Sequence, residues 1–171
     1  KSVGMSLIDV EKINIHGGSL RCYIKNSKNI KQSSRCKKIL NIEKKNLNKN
    51  LFKKFNLKIL NEFKKLNNKL LQFKKNKKFV IGYGAPARVA TITNYLKINN
   101  KFINYIIDDN PLKQNKYSPG SHIKIVAMNK LNISKVDIVI VFAYEYFSDI
   151  KKKFKSKEIK FFKPIPFKKL G

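Results

Sequence analysis

Two hydrophobic rhythms alternate along this chain. Residues 3–9 (VGMSLID) and 20–24 (LRCYI) are short apolar runs on either side of INIHGGSL, whose paired glycines mark a turn, so the pattern predicts a β-hairpin. Residues 26–46 are polar, dense in lysine and asparagine, and read as a loop or linker. From there on, Leu51, Phe55, Ile59, Phe63, Leu66, Leu70 and Phe73 recur at spacings of four and three. That is one apolar stripe along a long amphipathic helix with lysines opposite, and the stripe is expected to pack on a core. A lysine-rich helix of this kind could also lie on acidic lipid.

After residue 78 the rhythm changes. FVIGY (79–83), FINYIID (102–108), HIKIV (122–126), VDIVIVF (136–142) and IKFFKP (159–164) are near-continuous apolar runs, the last closing the chain. Helical stretches separate them, one from Pro86 to about Ile98 and another through Phe154. Short apolar strands bounded by helices indicate a parallel sheet covered on both faces. The predicted class is α/β: a Rossmann-like open, mostly parallel sheet with flanking helices, preceded by a short β-hairpin and a long amphipathic helix. No internal repeat interrupts it.

Composition narrows the function classes. The 171 residues suit one domain, or one domain and an appended piece, and 42% apolar content with 12 Phe and 7 Tyr can build a core despite a formal charge of +29. Of the 39 basic residues only Arg21, Arg35 and Arg88 are arginine. Lysine in company with abundant asparagine and isoleucine looks like AT-rich coding, which spreads charge over any solvated face. Base-edge readers rely on arginine's bidentate fork, and no zinc-finger spacing, basic region with heptads or RRM signature occurs. The expectation is non-specific attraction to polyanions and no specific nucleic-acid partner. Cys22 and Cys36 are the two cysteines and have no paired histidine beside them, so zinc is not expected. They read as reduced thiols of a cytoplasmic protein. No run reaches the roughly 18 apolar residues of a membrane span, and no signal-peptide pattern opens the sequence.

The chemistry concentrates at VIGYGAPARVAT (80–91), where a strand passes through Gly82, Tyr83, Gly84, Ala85 and Pro86 into a helix. The G-x-G-x-x-A spacing is that of a dinucleotide site, with glycines for a tight turn and helix N–H groups for a phosphate. Pro86 suits the first helical position, where its missing N–H costs nothing. Asp108 and Asp109, at the end of the second strand, lie where a ribose-binding acid is expected. Any βα turn in an open parallel sheet also needs small residues, so the spacing leaves a nucleotide loop and a packing turn both open. In either case ligand should sit at the carboxyl edge of the strands, near Tyr83, Asp109, Asn110, Lys113 and His122. Tyr144 and Tyr146, after the fourth strand, could stack on a base or sugar or pack in the core.

HGGSLR (16–21), GYGAPAR (82–88) and DDNPLKQNKYSPGSHIKI (108–125), in that order, resemble the C-terminal region of sugar C-methyltransferases. These are S-adenosylmethionine (SAM)-dependent enzymes acting on nucleotide-activated sugars or similar acceptors. The resemblance spans nearly the whole chain. It implies that residues 1–25 are the last strands of a SAM-binding domain, that 26–46 form a linker, and that 47–171 form a Rossmann-like domain covering the acceptor site. It places His16, Gly17, Gly18, Ser19 and Arg21 toward the cleft between domains, with His16 as candidate base and Ser19 and Arg21 as contacts for a hydroxyl and a phosphate. It adds Gly82 to Pro86, Asp109, Asn110, Lys113, Gln114 and His122 as acceptor-binding residues. The family's zinc cysteines, its SAM glycine loop and its catalytic Tyr/Glu/His cluster have no counterpart here. SAM is therefore expected to be the cofactor of the full enzyme but not to bind this chain alone, with the SAM-binding domain or a partner chain supplying the rest. A fragment of a methyltransferase is the favoured reading over half of a split one. The family chemistry is removal of a proton beside a keto group, followed by methylation of the carbanion. The alternative is a stand-alone nucleotide- or dinucleotide-binding module.

Overall fold

The computed structural model describes residues 3–15, 18–27, 30–155 and 158–171, which divide into two compact units, Lys1–Leu57 and Lys58–Gly171. In the first unit, β1 (Ser6–Ile13) and β2 (Ser19–Lys25) form the expected antiparallel hairpin, with Glu11 opposite Arg21. Residues Ser34–Asn46, polar enough to read as loop, instead form helix α1. The reason is local. The Ser33 hydroxyl accepts from the Cys36 amide at 3.1 Å, capping the helix, and donates to the Asp9 carboxylate, which also binds Arg35. The Arg35 guanidinium and the Ser33 hydroxyl hold the Asp9 carboxyl far below the usual carboxylate range. Lysine and asparagine without Pro or Gly do not forbid a helix once its first turn is capped.

Helix α2 (Lys49–Lys75) is the long amphipathic helix, but its apolar stripe is divided. Phe63, Leu66, Leu70 and Phe73 are buried, whereas Leu51 and Phe55 are 42% and 62% exposed. The stripe serves a core only in its later turns.

The second unit is a six-stranded sheet in the order β5-β4-β3-β6-β7-β8. Strands β3 (Val80–Tyr83), β4 (Tyr105–Ile107), β5 (Ile125–Val126), β6 (Ile138–Val141) and β7 (Lys160–Lys163) are parallel. The fifth apolar run does not close the chain: β8 (Lys168–Leu170) returns antiparallel to β7. Its lysine-rich sequence carries no strand signal, so pairing with β7 decides it.

Every residue of β3 and β6 is buried, and their side chains alternate between two apolar layers. Val80, Ile138 and Ile140 face Leu66, Leu70 and Phe73 of α2 and Val89 and Ile92 of α3 (Ala87–Tyr95). Ile81, Tyr83, Val139 and Val141 face Phe154, Phe161 and Ile150, the last in α4 (Phe147–Lys152). Each such aliphatic contributes about 1.5–3 kcal/mol by leaving water. The chain winds from β3 outward to β4 and β5, then crosses to β6 on the other side. That reversal opens the switch point where sheets of this kind take ligands, at the carboxyl ends of β3 and β6.

Candidate functional site

The two glycines of the β3–α3 turn do different work. Gly82 lies inside β3, opposite Ile106 and Ile140. A Cβ there would stand 3.0 Å from both Ile106 and Phe142, so Gly82 makes room for core packing. Gly84 adopts φ +82°, and a Cβ on it would lie 2.5 Å from that of Ala143, in the loop after β6. Its amide donates to Ile107 O at 2.7 Å. Pro86 precedes the first residue of α3 in extended conformation, and no side chain caps that helix.

Asp108 turns inward, only 8% exposed. Its Oδ2 accepts from the Ala85 amide at 2.6 Å and its Oδ1 from the Asn110 amide at 2.9 Å. Lys113 Nζ stands 3.5 Å from the same Oδ2 and donates to Ala85 O at 3.0 Å. Gln114 Nε2 donates to Asp108 O at 2.9 Å, and Asn110 Oδ1 accepts from the Leu112 amide at 2.9 Å. The GYGAPA and DDNPLKQ segments are thus one interlocked unit at the strand carboxyl edge.

Beside it, Tyr83, Asp109 and Lys153 form a closed triangle. The Tyr83 hydroxyl donates to Asp109 Oδ1 at 2.9 Å, and Lys153 Nζ donates to Asp109 Oδ2 at 2.8 Å and to the Tyr83 oxygen at 3.0 Å. Burial, together with the Asp109 carboxylate, pushes the Tyr83 hydroxyl up, with Lys153 opposing. For Asp109 burial is the largest single influence and acts upward, yet the hydrogen bonds from Lys153 and Tyr83 outweigh it and hold the carboxyl low. The bonds that Lys153 donates to Asp109 and to Tyr83 raise its own pKa. The Asp109 and Lys153 side chains remain 61% and 41% exposed, so both can meet a ligand while keeping each other ionised.

Across the switch point, Arg88 of α3 pairs with Glu145 at 2.7 Å and lies over the Tyr144 ring at 4.6 Å. Lys163, at the end of β7, stands over the same ring at 3.7 Å. Cations therefore occupy the face that Tyr144 could have offered to a base. Tyr146 is 67% exposed. A groove of about 290 Å³ runs along α3, between Ala87 and Ala90 on one side and Tyr117 and Pro119 on the other.

The structure gathers Gly82, Tyr83, Gly84, Ala85, Pro86, Asp109, Asn110, Lys113 and Gln114 at one edge. His122 is elsewhere. It sits exposed at φ +52° in a turn whose Pro119 carbonyl accepts from Asn94, in the last turn of α3, at the opposite end of that helix. In the first unit, Gly18 and Ser19 close the hairpin, the Ser19 hydroxyl donating to Ile15 O at 3.0 Å. Arg21 is an exposed partner of Glu11 at 3.4 Å. His16 and Gly17 lie outside the described residues. Among the described residues no cluster of three or more His, Cys, Asp or Glu is placed to hold a metal, and no helix is long and apolar enough to cross a membrane.

Sequence reading missed Lys153, Arg88 and Lys163. Nothing distinguishes Lys153 within KKKF in so lysine-rich a chain. Arg88 did carry a signal, being one of three arginines and lying in the GYGAPAR segment.

Residues 14–166 match the C-methyltransferase C-terminal domain family. The chain belongs to that family. Among curated proteins none matches it. In this C-methyltransferase C-terminal domain the Ala85 amide of the G-x-G turn is already taken by the Asp108 carboxylate, while Asp109, the other acid placed for a ribose hydroxyl, bonds Lys153 instead.

Proposed function

We propose that this domain binds the acceptor in SAM-dependent C-methylation of a nucleotide-activated sugar or similar small molecule. The observation carrying the proposal is the interlock of the GYGAPA and DDNPLKQ segments at the carboxyl edge of the sheet. It leaves Asp109 and Lys153 part-exposed where open α/β sheets take ligands. A carboxylate there suits sugar hydroxyls, and the Lys153 ammonium suits a diphosphate. Gly84, Ala85 and Pro86 set the backbone frame, with Asn110, Lys113 and Gln114 shaping the rim. We further propose that His16, Gly17, Gly18, Ser19 and Arg21 contact the acceptor, and we assign residues 1–25 to the edge of a SAM-binding domain. SAM and the methyl-transfer step belong to that remainder of the enzyme, in the cytoplasm.

A stand-alone dinucleotide module is the second reading, and the Asp108 carboxylate facing the turn argues against it. Calorimetric titration of the chain with a dTDP-sugar, NADH and SAM tests both. The nucleotide sugar should bind, and Lys153→Met or Asp109→Ala should weaken it. Micromolar binding of SAM by the chain would overturn the domain assignment, and tight NADH binding without response to the nucleotide sugar would favour the second reading.

A further inference from the structure

We propose that Asp108 is a specificity-determining residue: an internal anion that seals the β3–α3 turn against phosphate-bearing ligands, leaving the turn a structural joint. A glycine turn leading from a parallel strand into a helix ordinarily offers free N–H groups and the positive end of the helix dipole to a phosphate. Here α3 has that position and no side-chain cap. Yet the Asp108 carboxylate, buried and held at 2.6 Å by the Ala85 amide and at 2.9 Å by the Asn110 amide, sits at the turn itself. A second anion arriving at that amide would have to displace the Asp108 carboxylate from its hydrogen bond and face its charge. Lys113, the nearest cation, does not relieve this. Its ammonium is divided between the Asp108 carboxylate and the Ala85 carbonyl, so it ties the joint shut.

The groups beside the turn engage one another as well. Ala143 lies against Gly84, and Arg88, Glu145 and Lys163 gather around Tyr144. Asp108 therefore directs charged ligands away from the turn amides and toward side chains along the edge. This inference goes beyond the acceptor reading and does not depend on it.

Residue-resolved amide NMR of the ¹⁵N-labelled chain, titrated with inorganic pyrophosphate and with NADH at physiological salt, tests it while separating local binding from diffuse attraction to a cationic protein. In the wild type the Ala85 amide should not shift saturably. In Asp108→Gly the Ala85, Ala87 and Arg88 amides should shift together and saturate, with affinity about tenfold or more above wild type, as expected for freeing an amide and removing a charge. Asp108→Asn keeps an acceptor for Ala85 and should fall between them, and it decides the matter if the glycine variant does not fold. A saturable Ala85 shift in the wild type overturns the proposal, as does a folded Asn variant no better than wild type. Loss of dTDP-sugar binding by Lys153→Met bears on the acceptor reading alone.

Discussion

Gly84 and Ala143 meet at a spacing that admits no side chain on the glycine. A Cβ there would lie 2.5 Å from Ala143 Cβ and 3.1 Å from its backbone nitrogen, and the φ of +82° is one that other residues resist. The contact closes β3 onto the loop after β6, and both parts are backbone or short side chain, so neither can swing aside. Gly84→Ala should lower stability by about 1–3 kcal/mol, and Gly84→Val by more because of its branch. Urea unfolding measures this, and an unchanged midpoint would mean that the turn rearranges freely. In the full enzyme Gly84→Val should reduce acceptor affinity more than SAM affinity.

The triangle of Tyr83, Asp109 and Lys153 makes stability depend on pH at both ends. The folded pKa of Asp109 lies below its unfolded value, so its contribution is complete above the ordinary carboxylate range and lost as pH falls through the lowered value. Tyr83 and Lys153 are shifted up, so theirs is complete below their ordinary values and lost as pH rises through the raised ones. Asp109→Asn should flatten the acid limb of a stability–pH profile, and Lys153→Met the alkaline limb. Profiles parallel to wild type for both variants would show the triangle to be energetically idle.

Helix α1 depends on its first turn. Ser33→Ala removes the acceptor for the Cys36 amide and should cost the helix about 1 kcal/mol. Amide hydrogen exchange over residues 34–46 should speed up while exchange in β3 and β6 stays as in wild type. Equal acceleration in both places would show that the cap stabilises more than its own helix.

If the charge of +29 is compositional, duplex DNA should bind weakly, without sequence preference, and with an affinity that falls steeply as salt rises through counterion release. Electrophoretic shifts with several sequences across a salt series check this. A sequence-selective complex at physiological salt would give the lysines a specific role.

Periodicity along the chain determined the elements whose signal is local: the hairpin, the long helix, and the buried strands β3 and β6, where runs such as VIGY and IVIV have no alternative but a doubly covered sheet. The motifs also identified the family, because three segments in fixed order are read without knowing their contacts. Contacts between segments distant in sequence were decided by tertiary structure alone. Asp108 and Asp109 are adjacent and chemically identical, and a strand end sends one into the turn to Ala85 and the other outward to Lys153. Side-chain alternation forces that divergence, but only the fold fixes which carboxylate goes which way. The same holds for α1, β8 and the divided stripe of α2. Lysine-rich text fits loop, helix and strand alike, so a cap at Ser33, a neighbour in β7 and the reach of the core at Phe63 chose among them.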